Sequence, residues 1–277
     1  MMTDPLATDP PVDRDFPATT PALTFDSGGA TLRGVVHVPA GRGPHPVVVL
    51  LHGFPGNERN FDLAQVLRRA GYASLVFHYR GSWGVGGSWS WSHVLQDTAA
   101  VVAGLREHEL ATAHRLDPRR PALIGHSLGG FAALMTAAAD PSVAAVASVA
   151  GFDFGAVAAL CRDDPGLRAR YVEAFQGEVG PLRGTSGEAL VDEMEAAGET
   201  WRLAGLAPLL ADRPVLLVGT SLDAVTPHDV HHEPVVQAYR AQPVRKLEHH
   251  VFATDHALSD HRVRLARTVL SFLEQYR

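Results

Sequence analysis

Runs of consecutive apolar residues recur along the chain at Pro46–Leu51, Ala73–Tyr79, Pro121–Gly125, Val143–Val149 and Pro214–Gly219. A strand with one wet face alternates apolar and polar side chains, whereas a continuous run suits a strand covered on both faces, as in a parallel sheet. Between these runs lie stretches whose apolar residues repeat at helical spacing: Phe61–Arg69, His93–His108, Leu128–Ala139 and Arg262–Tyr276. The last places Val263, Leu265, Ala266, Val269, Leu270 and Leu273 on one face. Strand and helix in alternation predict βαβ units. Ahead of them, Leu23–Asp26 and Arg33–Val38 flank Ser-Gly-Gly-Ala, the pattern of an antiparallel hairpin. Val244–Val251 reads as the last strand.

The alternation breaks once, over residues 152–210, where mostly helical sequence intrudes. The expected architecture is therefore α/β: a mostly parallel central sheet flanked by helices, with a helical cap inserted after the sixth strand. Residues 23–151 and 211–277 form the core and 152–210 the cap. Residues 1–22, rich in proline and aspartate, bury too little apolar surface to order themselves and are expected to be a loose arm.

Composition narrows the function classes. With 46% hydrophobic and 19% charged residues over 277 positions, the chain has ordinary globular composition. Its 24 basic residues against 30 acids, net −6, lack the basic excess that nucleic acid demands. Most of that charge falls in the cap, which carries ten Asp and Glu against five Arg. A solvated helical surface explains such a run; the sharper alternative is a field that favours cationic substrates. No apolar run approaches the ~20 residues of a membrane span. The lone Cys161 excludes an internal disulfide and multi-cysteine metal sites. The first residues, Met1-Met2-Thr3-Asp4-Pro5, lack the basic and apolar regions of a secretory signal, so cytoplasmic residence is the expectation. The oligomeric state is left open, with a homodimer among the options.

Gly125-His126-Ser127-Leu128-Gly129-Gly130 follows the apolar strand Pro-Ala-Leu-Ile and opens an alanine-rich helix. A nucleophile elbow, G-x-S-x-G, requires that strand–turn–helix context. A serine hydroxyl needs a histidine base, and the histidine needs a carboxylate to fix its tautomer. Asp223 lies just past the carboxyl end of the strand Pro214–Gly219, whereas Asp212 precedes that strand and Asp229 falls in the following helix. Among 15 histidines, position selects His256, in the loop between the last strand and the final helix. His249 and His250 point to opposite faces of that strand, and His261 belongs near the helix. The oxyanion of an acyl-transfer intermediate requires preorganised donors. The N–H of Leu128 supplies one and that of Phe54, in His52-Gly53-Phe54-Pro55-Gly56, the second, since Pro55 has none. His52 has no H-x-x-x-H or H-E-x-x-H companion and is assigned to loop structure, not to a metal.

These phrases, with Tyr79-Arg80-Gly81-Ser82-Trp83-Gly84-Val85-Gly86-Gly87-Ser88, resemble the α/β-hydrolase superfamily from about Leu23 to Arg277. The branch they look like holds small carboxylesterases and prolyl-oligopeptidase-like or acylaminoacyl-peptidase-like serine hydrolases. The order Ser127, Asp223, His256 is the order stated for that fold. The resemblance implies a serine hydrolase with an acyl-enzyme on Ser127 and no cofactor, acting on small ester or amide substrates. His-Gly-Phe-Pro-Gly stands where the hormone-sensitive-lipase-like group carries H-G-G-G.

Trp83, Trp89 and Trp91 crowd the loop after the strand ending at Tyr79, and Phe152 and Phe154 stand where the cap begins. They are the expected lining of a substrate pocket for an apolar acyl or aromatic group. Two alternatives stand beside an esterase: an aminopeptidase or acylaminoacyl-peptidase-like amide hydrolase that reads an amino terminus through cap carboxylates, and a non-catalytic binding protein that keeps the fold.

Overall fold

A computed structural model describes residues 4–242, 244 and 246–275. In chain order the elements are β1 (Ala22–Ser27), β2 (Ala30–His37), β3 (His45–Leu51), α1 (Phe61–Arg69), β4 (Ala73–His78), α2 (Trp91–Gly104), α3 (His108–Ala113), β5 (Leu116–His126), α4 (Leu128–Ala139) and β6 (Ala145–Val149). The insert follows as α5 (Phe154–Asp163), α6 (Pro165–Glu178), α7 (Gly187–Ala197) and two 3₁₀ turns, Gly198–Trp201 and Leu203–Leu210. The chain then completes β7 (Pro214–Thr220), α8 (His228–His231), α9 (Glu233–Arg240), β8 (Lys246–Phe252) and α10 (Arg262–Glu274).

The strands form one sheet in the order β1-β2-β4-β3-β5-β6-β7-β8. The pairs β1–β2 and β2–β4 are antiparallel, and every pair from β4–β3 to β7–β8 is parallel. The apolar runs are continuous because the sheet is covered on both sides. Val47, Val49 and Leu51 of β3, with Val215 and Leu217 of β7, face a core shared with α2, α4, α9 and the insert. Val48, Leu50, Leu216 and Val218 face the other way, onto α1 and α10. From β3 the chain moves to β4 on one side and then to β5 on the other, so the direction of winding reverses between β3 and β5. In open α/β sheets that reversal leaves a crevice beyond the strand ends where ligands bind.

Several element boundaries differ from expectation. β5 begins at Leu116 rather than Pro121. Its first residues pair with β3, Leu116 opposite His45, while pairing with β6 starts only at Ala122. On the β3 side the register jumps from Asp117 to Ala122, so Pro118 lies in a bulge with a register partner on neither side, and its missing N–H costs no ladder bond. The helix expected over His93–His108 is two helices. Ser90 caps α2 by accepting the His93 N–H, and α2 ends at Gly104, where a β-carbon would crowd the Phe25 ring at 2.7 Å. The sixth strand starts at Ala145 rather than Val143. Arg245, within the expected last strand, and Tyr276, at the expected end of the final helix, lie outside the described residues.

The stretch expected to be a loose arm makes contacts along the core over its described part. Arg69 donates to the Pro5 carbonyl at 2.6 Å, Arg115 to that of Pro17 at 2.7 Å, and Gly41 N–H to that of Phe16 at 2.9 Å. Thr19 pairs with Val38 as an isolated bridge. Such a segment gains its order from backbone groups satisfied by the core rather than from apolar burial of its own.

The insert is fastened to the core by charge and by backbone. Glu193 of α7 accepts the N–H groups of Trp91 and Ser92, both at 2.8 Å. Those N–H groups belong to the first turn of α2, which has no intrahelical acceptors and carries the positive end of the helix dipole. The Trp91 indole donates back to the Leu190 carbonyl at 2.9 Å. Within the insert, Arg168 of α6 gathers Glu188, Asp192 and Glu195 of α7 at 2.9, 2.5 and 3.1 Å. Residues 181–183 exchange backbone hydrogen bonds with the loop after β4: Trp83 N–H to Pro181, Arg183 N–H to Gly81 and Trp89 N–H to Arg183. Replacing Glu193 by alanine is expected to lower the unfolding free energy by about 1–3 kcal/mol. It should also raise hydrogen exchange at Trp91 and Ser92. Urea unfolding with exchange mass spectrometry measures both; unchanged protection at α2 would contradict the capping role.

Candidate active site

β3 and β5 lie side by side at the reversal, with Leu51 opposite Gly125, so the loops that leave them are neighbours. Ser127 follows β5 with φ 58° and ψ −122°, a conformation that a β-carbon makes costly. Its backbone is held on both sides: its N–H donates to Val149 O at 2.9 Å, and its carbonyl accepts from Gly130 at 2.9 Å and from Phe152 at 3.2 Å. The glycines of the motif are required by contact. A β-carbon on Gly125 would be driven into the Gly129 carbonyl, and one on Gly129 into the Leu51 carbonyl. Ser127 precedes α4, yet its hydroxyl makes no capping bond, which leaves the oxygen for chemistry.

Asp223 is fixed just past the end of β7. One carboxylate oxygen accepts the N–H groups of Val225 and Thr226 at 2.8 and 2.9 Å. The other accepts the hydroxyls of Thr220 at 2.7 Å and Thr226 at 2.6 Å, and meets His256 Nδ1 at 2.7 Å. The carboxylate is fully buried. Burial alone would raise its pKa, but the hydrogen bond and charge of His256, together with the Thr226 bonds, overcome that and hold the carboxyl far below the usual carboxylate range. Because Asp223 Oδ2 accepts from His256 Nδ1, the other ring nitrogen, Nε2, is left without a proton in the neutral imidazole.

The residue beside the serine also reaches this loop. His126 donates from Nε2 to the backbone carbonyl of His256 at 2.7 Å, and the two rings lie 4.8 Å apart. Burial, with the charge of His256 adding to it, pushes His126 down to about 3, so its ring is neutral. Asp229 and His261 fall where the sequence places them, in the first turn of α8 and at the start of α10.

Ser127, His126 and His256 open on one cavity of about 550 Å³, with Gly53 and Phe54 from the loop after β3. The Gly53 backbone packs so close that a β-carbon there would approach the Ser127 β-carbon at 2.9 Å. Leu128 N–H lies in the first turn of α4, where no intrahelical acceptor precedes it. The cavity wall is largely apolar: Phe54 and Pro55 on one side, Phe152 beneath, and Leu167, Tyr171 and Phe175 of α6 above.

Of the aromatic residues expected to line the pocket, Phe152 does, while Trp83, Trp89, Trp91 and Phe154 do not. Trp89, Trp91 and Phe154 are fully buried. Trp91 packs against Phe54 at 5.0 Å, Phe154 at 4.8 Å and Phe175 at 5.4 Å, so these rings form the seam between insert and core. Burying such large rings in the seam removes more apolar surface from water than exposing them to a cavity would. Trp83 instead supports the loop after β3, its indole donating to the Pro55 carbonyl at 2.8 Å beneath the Arg59 guanidinium. Leu167, Tyr171 and Phe175 were not singled out in the sequence; their i, i+4, i+8 spacing along α6 is the signal that marks them as one face.

This arrangement joins a chemical class to a scaffold. The model of the Alpha/beta hydrolase family matches residues 48–268, and the chain belongs to that family. Among curated relatives, it is 39% identical over 143 residues to Hydrolase LUC6 of a Fusarium species, covering 45% of this chain and 31% of that protein. It is 31% identical over 141 residues to the 2,6-dihydropseudooxynicotine hydrolase of Paenarthrobacter nicotinovorans, covering 49% and 36%. The chain thus spans about a third of the length of these two relatives. Among solved structures, Est1E of Butyrivibrio proteoclasticus superposes with a TM-score of 0.67 at 19% identity over 92% of this chain and 98% of that one. The acylaminoacyl peptidase of Pyrococcus horikoshii does so with 0.67 at 17% over 93% and 41%. Among the described residues no helix is long and apolar enough to cross a membrane.

Two outcomes follow from the geometry. Gly129→Ala is expected to lose several kcal/mol of stability or the fold itself, read as the urea midpoint, because the carbonyl it meets is strand backbone rather than a side chain that can swing away. Asp223 has a depressed folded pKa, so its contribution is fully present above its unfolded value near 4 and is lost as pH falls below it. The unfolding free energy should therefore decline between about pH 5 and pH 2, and decline less in Asp223→Asn. An equal acid slope in both proteins would contradict the assignment.

Proposed function

We propose that the chain is a serine hydrolase that cleaves carboxylic esters through an acyl-enzyme. The carrying observation is that His256, paired with the buried Asp223 at 2.7 Å, and Ser127 open on the same largely apolar cavity. In this reading His256 Nε2 takes the Ser127 proton as the serine oxygen attacks the ester carbonyl. Asp223 holds the ring by Nδ1 and stabilises the imidazolium. The Leu128 and Phe54 N–H groups receive the oxyanion. His256 returns its proton to the leaving alkoxide, an alcohol departs, and His256 then activates the water that releases the acid and frees Ser127.

The wall of Phe54, Phe152, Leu167, Tyr171 and Phe175 supports an apolar acyl or aromatic group as the part of the substrate that is buried. The amide-hydrolase alternative draws on the acidic insert, but its carboxylates are mostly engaged. Glu193 caps α2, and Glu188, Asp192 and Glu195 hold Arg168. Glu178 is the acid of the insert that lines the cavity. That census favours the ester.

Intact mass after treatment with a fluorophosphonate should show one adduct, absent in Ser127→Ala, and the variant should lose ester turnover by at least ~10³-fold with an unchanged melting curve. A panel of acyl esters beside aminoacyl arylamides should show ester cleavage only. Arylamide cleavage that exceeds ester cleavage would move the reading to a peptidase, and absence of any adduct would move it to a non-catalytic member of the fold.

A further inference from the structure

We infer that His126, the residue before the serine in the G-x-S-x-G motif, is a positioning residue that sets the place of His256 relative to Ser127. The inference rests on the serine-hydrolase reading and extends it to a side chain that takes no proton in that mechanism.

His256 sits in the loop between β8 and α10, where Leu258 is buried in the core and Asp255, Ala257, Ser259 and Asp260 are polar or small. Asp223 fixes the imidazole from its Nδ1 side but not the backbone that carries it. The loop backbone is held by the Leu222 N–H on Thr254 O at 3.2 Å and the Leu258 N–H on Asp255 O at 3.1 Å, and at His256 itself by two side chains that grip consecutive carbonyls. His126 Nε2 donates to the carbonyl of His256 at 2.7 Å, and Arg262 donates to that of Ala257 at 3.1 Å. The Arg262 guanidinium is itself anchored on Asp62 at 2.6 Å and on Asn60 at 2.9 Å, just after the loop that holds Phe54.

The grip from His126 matters more, because His126 is joined by one peptide bond to Ser127. It ends β5 in the centre of the sheet, its ring is buried, and it lies 4.8 Å from the His256 ring. The distance between nucleophile and base is thereby fixed through a short path: the Ser127 backbone, the His126 side chain and the His256 carbonyl. Nδ1 of His126 is buried without a hydrogen-bond partner. A buried polar atom left unpaired is destabilising. The site retains a ring with that cost because a neutral imidazole delivers one N–H at the length required, and an apolar side chain of the same volume delivers none.

The test compares three substitutions that separate reach from bulk. His126→Gln carries an amide N–H₂ to about the position of Nε2; His126→Asn places it near Nδ1, too short for the carbonyl; His126→Leu fills the volume with no donor. Expected are a kcat within ~3-fold of the native chain for Gln and a loss of ~10–100-fold for Leu and Asn, with KM moved by less than ~3-fold in all three, because a reacting group misplaced by about 1 Å loses rate rather than affinity. The rate of Ser127 labelling by fluorophosphonate should fall in parallel with kcat. If Leu does not fold, the Gln–Asn contrast still decides the matter. A purely structural role would lower the melting temperature and leave the kcat of the folded enzyme unchanged. That result overturns the inference, as does an Asn variant as fast as Gln. A native chain that neither labels nor hydrolyses esters overturns the serine-hydrolase reading itself; a competent native chain with an equally competent Leu variant overturns only the role of His126.

Discussion

The close crossing of three backbones at the end of the sheet is the constraint on which the site depends. The end of β3, the turn after β5 and the first turn of α4 approach until no β-carbon fits at Gly125 or Gly129. That contact forces Ser127 into its positive-φ conformation, and the strain, of order 1–3 kcal/mol, has to be offset elsewhere. It is offset by α4, whose residues from Leu128 to Leu134 are buried without interruption between β5, β6 and the insert. A helix this apolar on all sides belongs in the middle of a protein. Once it is there, the serine, the Gly53 loop and the amides beside them are brought together by packing alone, before any substrate contributes binding energy.

The insert obeys a second rule. Four of its acids go into fastening it, while Glu178 lines the cavity. Glu193 spends both oxygens on the start of α2, and the Arg168 cluster ties α6 to α7. Partly exposed ion pairs contribute little each, so the stability of the insert comes from the aromatic seam of Trp91, Phe154 and Phe175, and the charges fix its orientation. The face of α6 turned toward the cavity presents Leu167, Tyr171 and Phe175, with Arg170 and Glu178 beside them.

Much of this was legible in the sequence, and the parts that were not share a physical reason. The span of α1 follows from helical periodicity, and those of α4, β3 and β7 from unbroken apolar runs, because such patterns are local properties. Asp223 and His256 were found by the same logic, as polar residues just beyond strand ends, and the fold brings them to 2.7 Å. The tryptophans were misplaced because composition gives a ring and its neighbours in sequence but not the side on which a loop lies down. Trp91 is the first residue of a helix that the insert covers, a tertiary fact carried by Glu193 and Leu190 a hundred residues later. The beginning of β5 was missed because Pro118, Arg119 and Arg120 mimic a turn; they are admissible because they bulge out of the register with β3 before β6 begins to pair.

The chain holds 15 histidines, and three of them, His52, His126 and His231, share one electrostatic condition. Burial pushes His52 and His126 down to about 3 and His231 to about 4, so all three are neutral wherever His256 would work. Each then acts as a group with one donor and one acceptor. His126 donates to His256 O, His52 donates from Nδ1 to Gly53 O, and His231 accepts the Asp153 N–H. Had His126 been charged, its ring 4.8 Å from His256 would oppose a positive charge arriving there. At an effective dielectric of 20 that repulsion is about 3 kcal/mol, about a hundredfold in rate. Desolvation of the neighbours therefore does for the proposed reaction what Asp223 does from the other side. It leaves His256 between the Asp223 carboxylate and the neutral ring of His126.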